Sequence, residues 1–243
     1  MDTITKQHPV PTGLDHLALI REGERVALES SAPLLAEAQA QLTFLGTAFA
    51  ALYEVGTCNR KCWGGPHLLE SLCVRVYNLG ISAYTLMVRG FYDEALNLIR
   101  SVGEIGNLIA LSVAERDVIR QWVAPDKKTR LREFGPAAVR RRLENAGGIM
   151  IAPQDWYAEF CEVYTHATPG TTPNMHNQTG LGWAGGVVKE AGFDKVLDEL
   201  VGKVGSIALM SSAFAQLDDY VQQLSQAVES LRPKAPDVNS QNI

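Results

Sequence analysis

The sequence predicts an all-α protein, a helical bundle of six or seven helices built on a central antiparallel hairpin and finished by a long C-terminal helix. Three observations carry that reading. Apolar residues recur at alternating three- and four-residue spacing along most of the chain, which is the period of one helix face and not the two-residue period of a strand. No segment reads convincingly as a strand. Two neighbouring segments also carry polar stripes that mirror each other about Phe91: Ser71, Arg75, Asn78, Ser82, Thr85 and Arg89 before it, Asp93, Asn97, Arg100, Glu104 and Asn107 after it. Folded back around Gly90-Phe91-Tyr92, the stripes would match Arg89 with Asp93, Thr85 with Asn97, Ser82 with Arg100, Asn78 with Glu104 and Arg75 with Asn107.

Residues 1–13 and 233–243 are polar, Pro-containing and aperiodic, so disorder is expected there and a single helical-bundle domain over 14–232. A short amphipathic piece, Leu14 to Ile20, leads to a long helix capped by Ser31, with Pro33 in its first turn and Leu35, Ala38, Leu42, Leu45, Phe49 and Leu52 on one face. Gly56 is expected to stop it. A helix from Pro66 to Arg89 is apolar all round apart from its stripe, which makes it central. The next runs from Asp93 to Val123, where Pro125 ends it. Two shorter helices follow, Ala137 to Ala146 behind Pro136 and Gln154 to Thr165 with Trp156, Phe160 and Val163 inward. The last helix, Asp194 to Leu231, keeps a heptad seam through Met210, Phe214, Leu217, Val221, Leu224, Val228 and Leu231. If it is continuous, part of it overhangs the bundle with an apolar stripe, and a homodimer through Leu217, Val221, Leu224 and Val228 is expected.

Composition narrows the function classes. There is no run near 18 apolar residues and no apolar core in the N-terminal segment, so neither a membrane span nor a secretory signal is expected, and a cytoplasmic protein follows. A chain of this length needs no disulfide staples for its core. The net charge of −5 implies no polyanion partner, although Asp126 to Glu144 sets seven Lys/Arg against three acids. Three consecutive arginines, Arg140 to Arg142, cannot share one helix face, so that run reads as a solvated basic surface. Phosphate loops, nucleophile elbows and paired helical histidines are absent from the sequence.

Three constellations remain as candidates. The mirrored stripes form one: the first is filled with Ser, Asn and Thr where a solvent face would carry Glu and Lys, which points to a polar cleft. Arg75, Asn78 and Asn107 are its expected ligand-binding residues, with Arg100 and Glu104 beside them. The second is Val163 to Val188, 26 residues without Asp, Glu, Lys or Arg, holding His166 and His176; a loop this long suits a lid or binding loop. Tyr157 and His176 are expected to contribute to the cleft. The third is Cys58, Cys62, His67 and Cys73, donor types that zinc takes, at C-x3-C-x4-H-x5-C. Cys73 falls within a helix, about 240° round it from His67, so buried free cysteines are the simpler reading and no metal or cofactor is expected.

The run from Gly90 to Glu104, followed downstream by Tyr157-x8-His166, resembles a set of bacterial and phage helical proteins in which an Arg-x3-Glu helix precedes a Tyr and a His at the end of a later helix. Those proteins are distantly similar to the HEPN superfamily of helical bundles, many of them ribonucleases of defence and toxin systems with an Arg-x4-6-His motif. The nearest match to that motif here is Arg60-x6-His67. The resemblance implies a helical bundle and a catalytic set of Arg100, Glu104 and His166, with RNA as substrate. The residues themselves favour a binding or regulatory protein for a polar ligand or partner segment. A metal-independent ribonuclease is the rival, with His166 as acid or base and Arg100 stabilising phosphate charge.

Overall fold

The first helix opens on a capping box, in which Thr12 Oγ1 accepts from the Asp15 amide at 3.3 Å and the Asp15 carboxylate accepts from the Thr12 amide at 3.3 Å. The computed structural model describes residues 12–62, 67–115, 117–123, 126–169, 171 and 184–231. Nearly all of the two expected disordered ends, His176 and half of the charge-free segment lie outside the described residues.

The protein is all-α: among the described residues there is no strand, and ten α-helices occur. They are α1 (Gly13–Glu37), α2 (Gln39–Thr57), α3 (Leu68–Met87), α4 (Tyr92–Ala114), α5 (Val118–Val123), α6 (Lys127–Phe134), α7 (Pro136–Asn145), α8 (Gln154–Phe160), α9 (Glu190–Phe214) and α10 (Asp218–Leu231). A π turn, Cys161–Thr165, continues α8. No described helix is long and apolar enough to cross a membrane.

Four boundaries differ from the expectation, each for a local reason. Ser31 does not cap a helix; its hydroxyl donates back to the Leu28 carbonyl at 3.0 Å inside α1, and the break falls at Ala38 instead. Pro33 is accommodated within α1. Gly56 does not terminate α2, which runs on to Thr57 and ends at Cys58 with φ 53°. The glycine serves close approach: a Cβ there would stand 2.7 Å from Val74 Cγ2 on α3. The expected helix to Val123 breaks at Glu115, whose backbone is extended, and α5 starts anew. The expected long C-terminal helix is two helices, because Gln216 adopts φ 56° and the Leu217 amide returns to the Ser212 carbonyl at 2.9 Å.

That last break removes the overhang on which the dimer interface was reasoned. Leu217 and Leu224 are buried within the chain, where α10 packs on α2 and α9. Val221 is half-buried, and Val228 lines an apolar groove of about 530 Å³ with Phe44, Val201, Leu209 and Leu231.

The core is made by α2, α3, α4 and α9, which pack on one another. Val76, Ala83, Met87, Ala95, Ile99, Val102, Val204 and Ile207 are fully buried in it, and each large aliphatic side chain removed from water contributes about 1.5–3 kcal/mol. The α3–α4 hairpin forms as expected. Tyr92 at its turn is fully buried and its hydroxyl accepts from the Lys189 amide at 3.0 Å, fixing the start of α9. α1 stands apart: only Ala27 and Ser31 of its 25 residues are buried, and an Arg89–Glu24 ion pair ties it to the end of α3.

Candidate functional site

α4 carries Arg100 and Glu104 one turn apart, and α8 with its π turn carries Tyr157 and Cys161 one turn apart, so two short polar rows face each other. Arg100 Nη2 donates to Glu104 Oε1 at 3.0 Å and to the Tyr157 hydroxyl at 2.8 Å, while its Nε donates to Cys161 Sγ at 3.2 Å. Tyr157 in turn donates to Glu104 Oε1 at 2.7 Å. The guanidinium, the phenol and the carboxylate therefore close a ring of hydrogen bonds in which every donor has a direction. The Arg100 and Glu104 side chains retain 16% and 28% exposure, so water screens the ion pair partly and the charge-assisted bonds to Tyr157 matter more.

Two structural devices hold α8 against α4. Gly103 sits under the Trp156 ring, where a Cβ would lie 2.9 Å from the indole. Trp156 stacks on Phe160 with centroids 4.0 Å apart, and its Nε1 donates to Glu199 Oε2 of α9 at 3.0 Å. The second device is Asn107. Buried to 3% exposure, it accepts from the Ile151 amide at 2.9 Å and the Ala152 amide at 3.0 Å, and donates to the Ala152 carbonyl at 2.9 Å. This clamps the turn before α8 and sets the angle at which Tyr157 meets Arg100.

Arg140 of α7 completes the cluster. Its Nη2 donates to Gln154 Oε1 at 2.6 Å, and its guanidinium lies 4.4 Å from the centre of the Tyr157 ring, which Arg100 also approaches at 5.0 Å. Arg140 is buried, and its Nη1 has no hydrogen-bond partner among the described residues. Burial and the Glu104 bond push the Tyr157 phenol up to about 12. It is a hydrogen-bond donor at neutral pH, not a base. Burial works against the Arg100 charge, but Cys161, Glu104 and Tyr157 outweigh it and hold its pKa above the ordinary value.

The expected site residues therefore divide. Arg100, Glu104 and Tyr157 come together. Asn107 is buried as expected, but as a backbone clamp and not as a ligand-binding group. Arg75 and Asn78 are exposed on α3, and the pairs Arg75–Asn107 and Asn78–Glu104 do not form. The reason is that the faces of the hairpin that meet are apolar, so the two stripes lie on opposite flanks: Ser82 bonds its own helix at the Asn78 carbonyl, and Arg89 turns to Glu24. His166 is exposed at the end of the π turn, and no hydrogen bond or ion pair joins it to Arg100 or Glu104. Its backbone is tied instead, the amide to the Cys161 carbonyl at 2.9 Å and the carbonyl to Thr171 Oγ1 at 2.6 Å. His176 lies outside the described residues.

Sequence reasoning missed Arg140, Gln154 and Cys161. Arg140 precedes Leu143 by three positions and follows Val139 by one, which places it at the edge of the buried face of α7; the charge run around it hid that signal. Cys161 follows Tyr157 by four residues and shares its face. Comparison with protein-family models, curated proteins and solved structures finds no match to this chain.

Proposed function

We propose that this chain is a binding or regulatory protein whose polar cluster at Arg100, Glu104, Tyr157 and Arg140 recognises an acidic group on a small ligand or partner segment. The observation that carries the reading is a guanidinium held in place on three sides by its own protein, with Nε and Nη2 of Arg100 engaged by Cys161, Glu104 and Tyr157. Fixed donors of this kind bind a carboxylate or phosphate without the entropy cost of ordering a loose side chain. The arrangement favours binding over RNA cleavage by His166, since no hydrogen bond or ion pair joins His166 to Arg100 or Glu104, and Glu104 and Tyr157 are engaged with Arg100 and with each other.

Self-association and a cytoplasmic location belong to the same proposal. Support for the homodimer comes from α1, whose exposed Leu14, Leu17, Leu19 and Ile20 give a second copy an apolar surface to cover. Native mass spectrometry of the full chain, purified and treated with a chelator, tests both parts. A two-subunit species carrying a small acidic ligand that the Arg100→Gln variant loses is the expected result. A bare single subunit would remove both parts of the reading, and cleavage of single-stranded RNA abolished by His166→Ala would restore the enzyme.

A further inference from the structure

Away from the Arg100 cluster, the junction between α2 and α3 gathers another set of side chains. Cys58 ends α2, Cys62 follows it, His67 immediately precedes α3 and Glu70 lies in the first turn of α3. The ligand atoms of Cys58, Cys62 and His67 all lie within 4.8 Å of one another. Cys58 Sγ is 3.5 Å from His67 Nδ1, Glu70 Oε1 is 3.6 Å from His67 Nδ1, and Glu70 Oε1 is 3.9 Å from Cys58 Sγ. Atoms bound to a tetrahedral zinc ion at the usual 2.0–2.3 Å stand about 3.3–3.8 Å apart. The Cys58–His67 and His67–Glu70 separations match the edges of such a tetrahedron, while Glu70 stands outside the group of three whose ligand atoms all meet within 4.8 Å.

We propose that Cys58, Cys62 and His67 hold a zinc ion, with Glu70 drawn in as the fourth ligand when the metal binds, and that this site clips the end of α2 to the start of α3. Two thiolates, an imidazole and a carboxylate are the donors of a borderline-soft ion and not of magnesium or calcium, and four protein ligands make the site structural, with no open position for water. Cys58 and His67 adopt left-handed conformations, at φ 53° and 48°, as the caps of the two helix ends that the site would join. The absent side chain at Gly56 lets α3 approach α2 and brings Glu70 within reach. Cys73, the fourth donor suggested by spacing, is excluded: it is fully buried on the other side of α3 and donates to Ser211 Oγ at 3.4 Å.

The test is cobalt substitution of the reduced, chelator-treated full chain. Saturation at one equivalent, with thiolate-to-cobalt charge transfer and strong tetrahedral d–d bands that zinc bleaches, is expected. Cys62→Ser should lose about half of the charge-transfer intensity, as one of two thiolates goes. Cys73→Ser should leave the spectrum unchanged. Alkylation of the unaltered protein supplies a readout independent of variant folding: zinc should slow modification of Cys58 and Cys62 and leave Cys161 unaffected. No charge transfer at one equivalent, or equal alkylation rates with and without zinc, would overturn the proposal.

Discussion

Replacing Asn107 by Ala tests whether the turn before α8 is clamped by one side chain. The substitution removes the acceptor of two buried amides, Ile151 and Ala152, and the donor to the Ala152 carbonyl. A buried polar group left unsatisfied costs about 1–3 kcal/mol. Three such groups would cost more than 3 kcal/mol if all stayed dry, and relaxation of the turn toward water reduces the total, so a loss of about 3 kcal/mol is expected. For a chain of this size 1 kcal/mol moves Tm by roughly 2–4 °C, so the variant should melt roughly 6–12 °C lower. Urea unfolding followed by far-UV circular dichroism measures the loss directly, with the m value reporting whether the unfolded state changed. Asn97→Ala is the control, since that side chain is half-buried and accepts one bond, from Thr165 Oγ1 at 3.0 Å. Equal shifts for the two variants would refute the clamp, as would an Asn107→Ala shift below about 1 kcal/mol.

Gly192→Ala should destabilise by about 1–3 kcal/mol or more, because the new methyl would collide with the buried ring of Tyr92, whereas Gly202→Ala, in a helix with nothing near its Cβ position, should stabilise by about 0.5–1 kcal/mol; thermal denaturation of both variants checks the pair. Tyr157 has a folded-state pKa raised from near 10 to about 12, by burial first and the Glu104 bond second, so its contribution is full below pH about 10 and vanishes as pH climbs through about 12. Melting temperatures across that window should therefore fall more steeply for the wild type than for Tyr157→Phe, and parallel curves would show that the phenol is not coupled to folding.

Periodicity revealed faces but not partners, and that distinction explains what the sequence made legible. The stripe on α4 was readable because Asn97, Arg100, Glu104 and Asn107 recur at the spacing of one helix face, and Tyr157 was singled out by the Tyr157-x8-His166 spacing on which the resemblance rests. Which element would meet that stripe was not readable. The choice was made by Gly103 and Gly106, which let Trp156 and Ile151 approach α4 from the flank, while α3 took the apolar face. The split between α9 and α10 left no trace because a left-handed residue is usually announced by Gly or Asn, and here it is Gln216. Arg140 was hidden for the opposite reason, as one buried arginine within three consecutive ones.

The π turn after α8 sets the course of the polar seam by number. Residues four apart on an α-helix drift around the axis by about 40° at each step, so a row of three bends away from a straight neighbour. Closing Cys161–Thr165 with a wider ring, the His166 amide reaching back five residues to Cys161, takes up that drift. Tyr157, Cys161 and Thr165 consequently run in file along α4, the first two against Arg100 and the third bonded to Asn97. Deleting Glu162, which makes none of these contacts, would restore ordinary α geometry and swing everything beyond it around the axis while Tyr157, Cys161 and Thr165 all remained in the chain. Here the alignment depends on how many residues the chain contains between Phe160 and His166, and only secondarily on which ones they are.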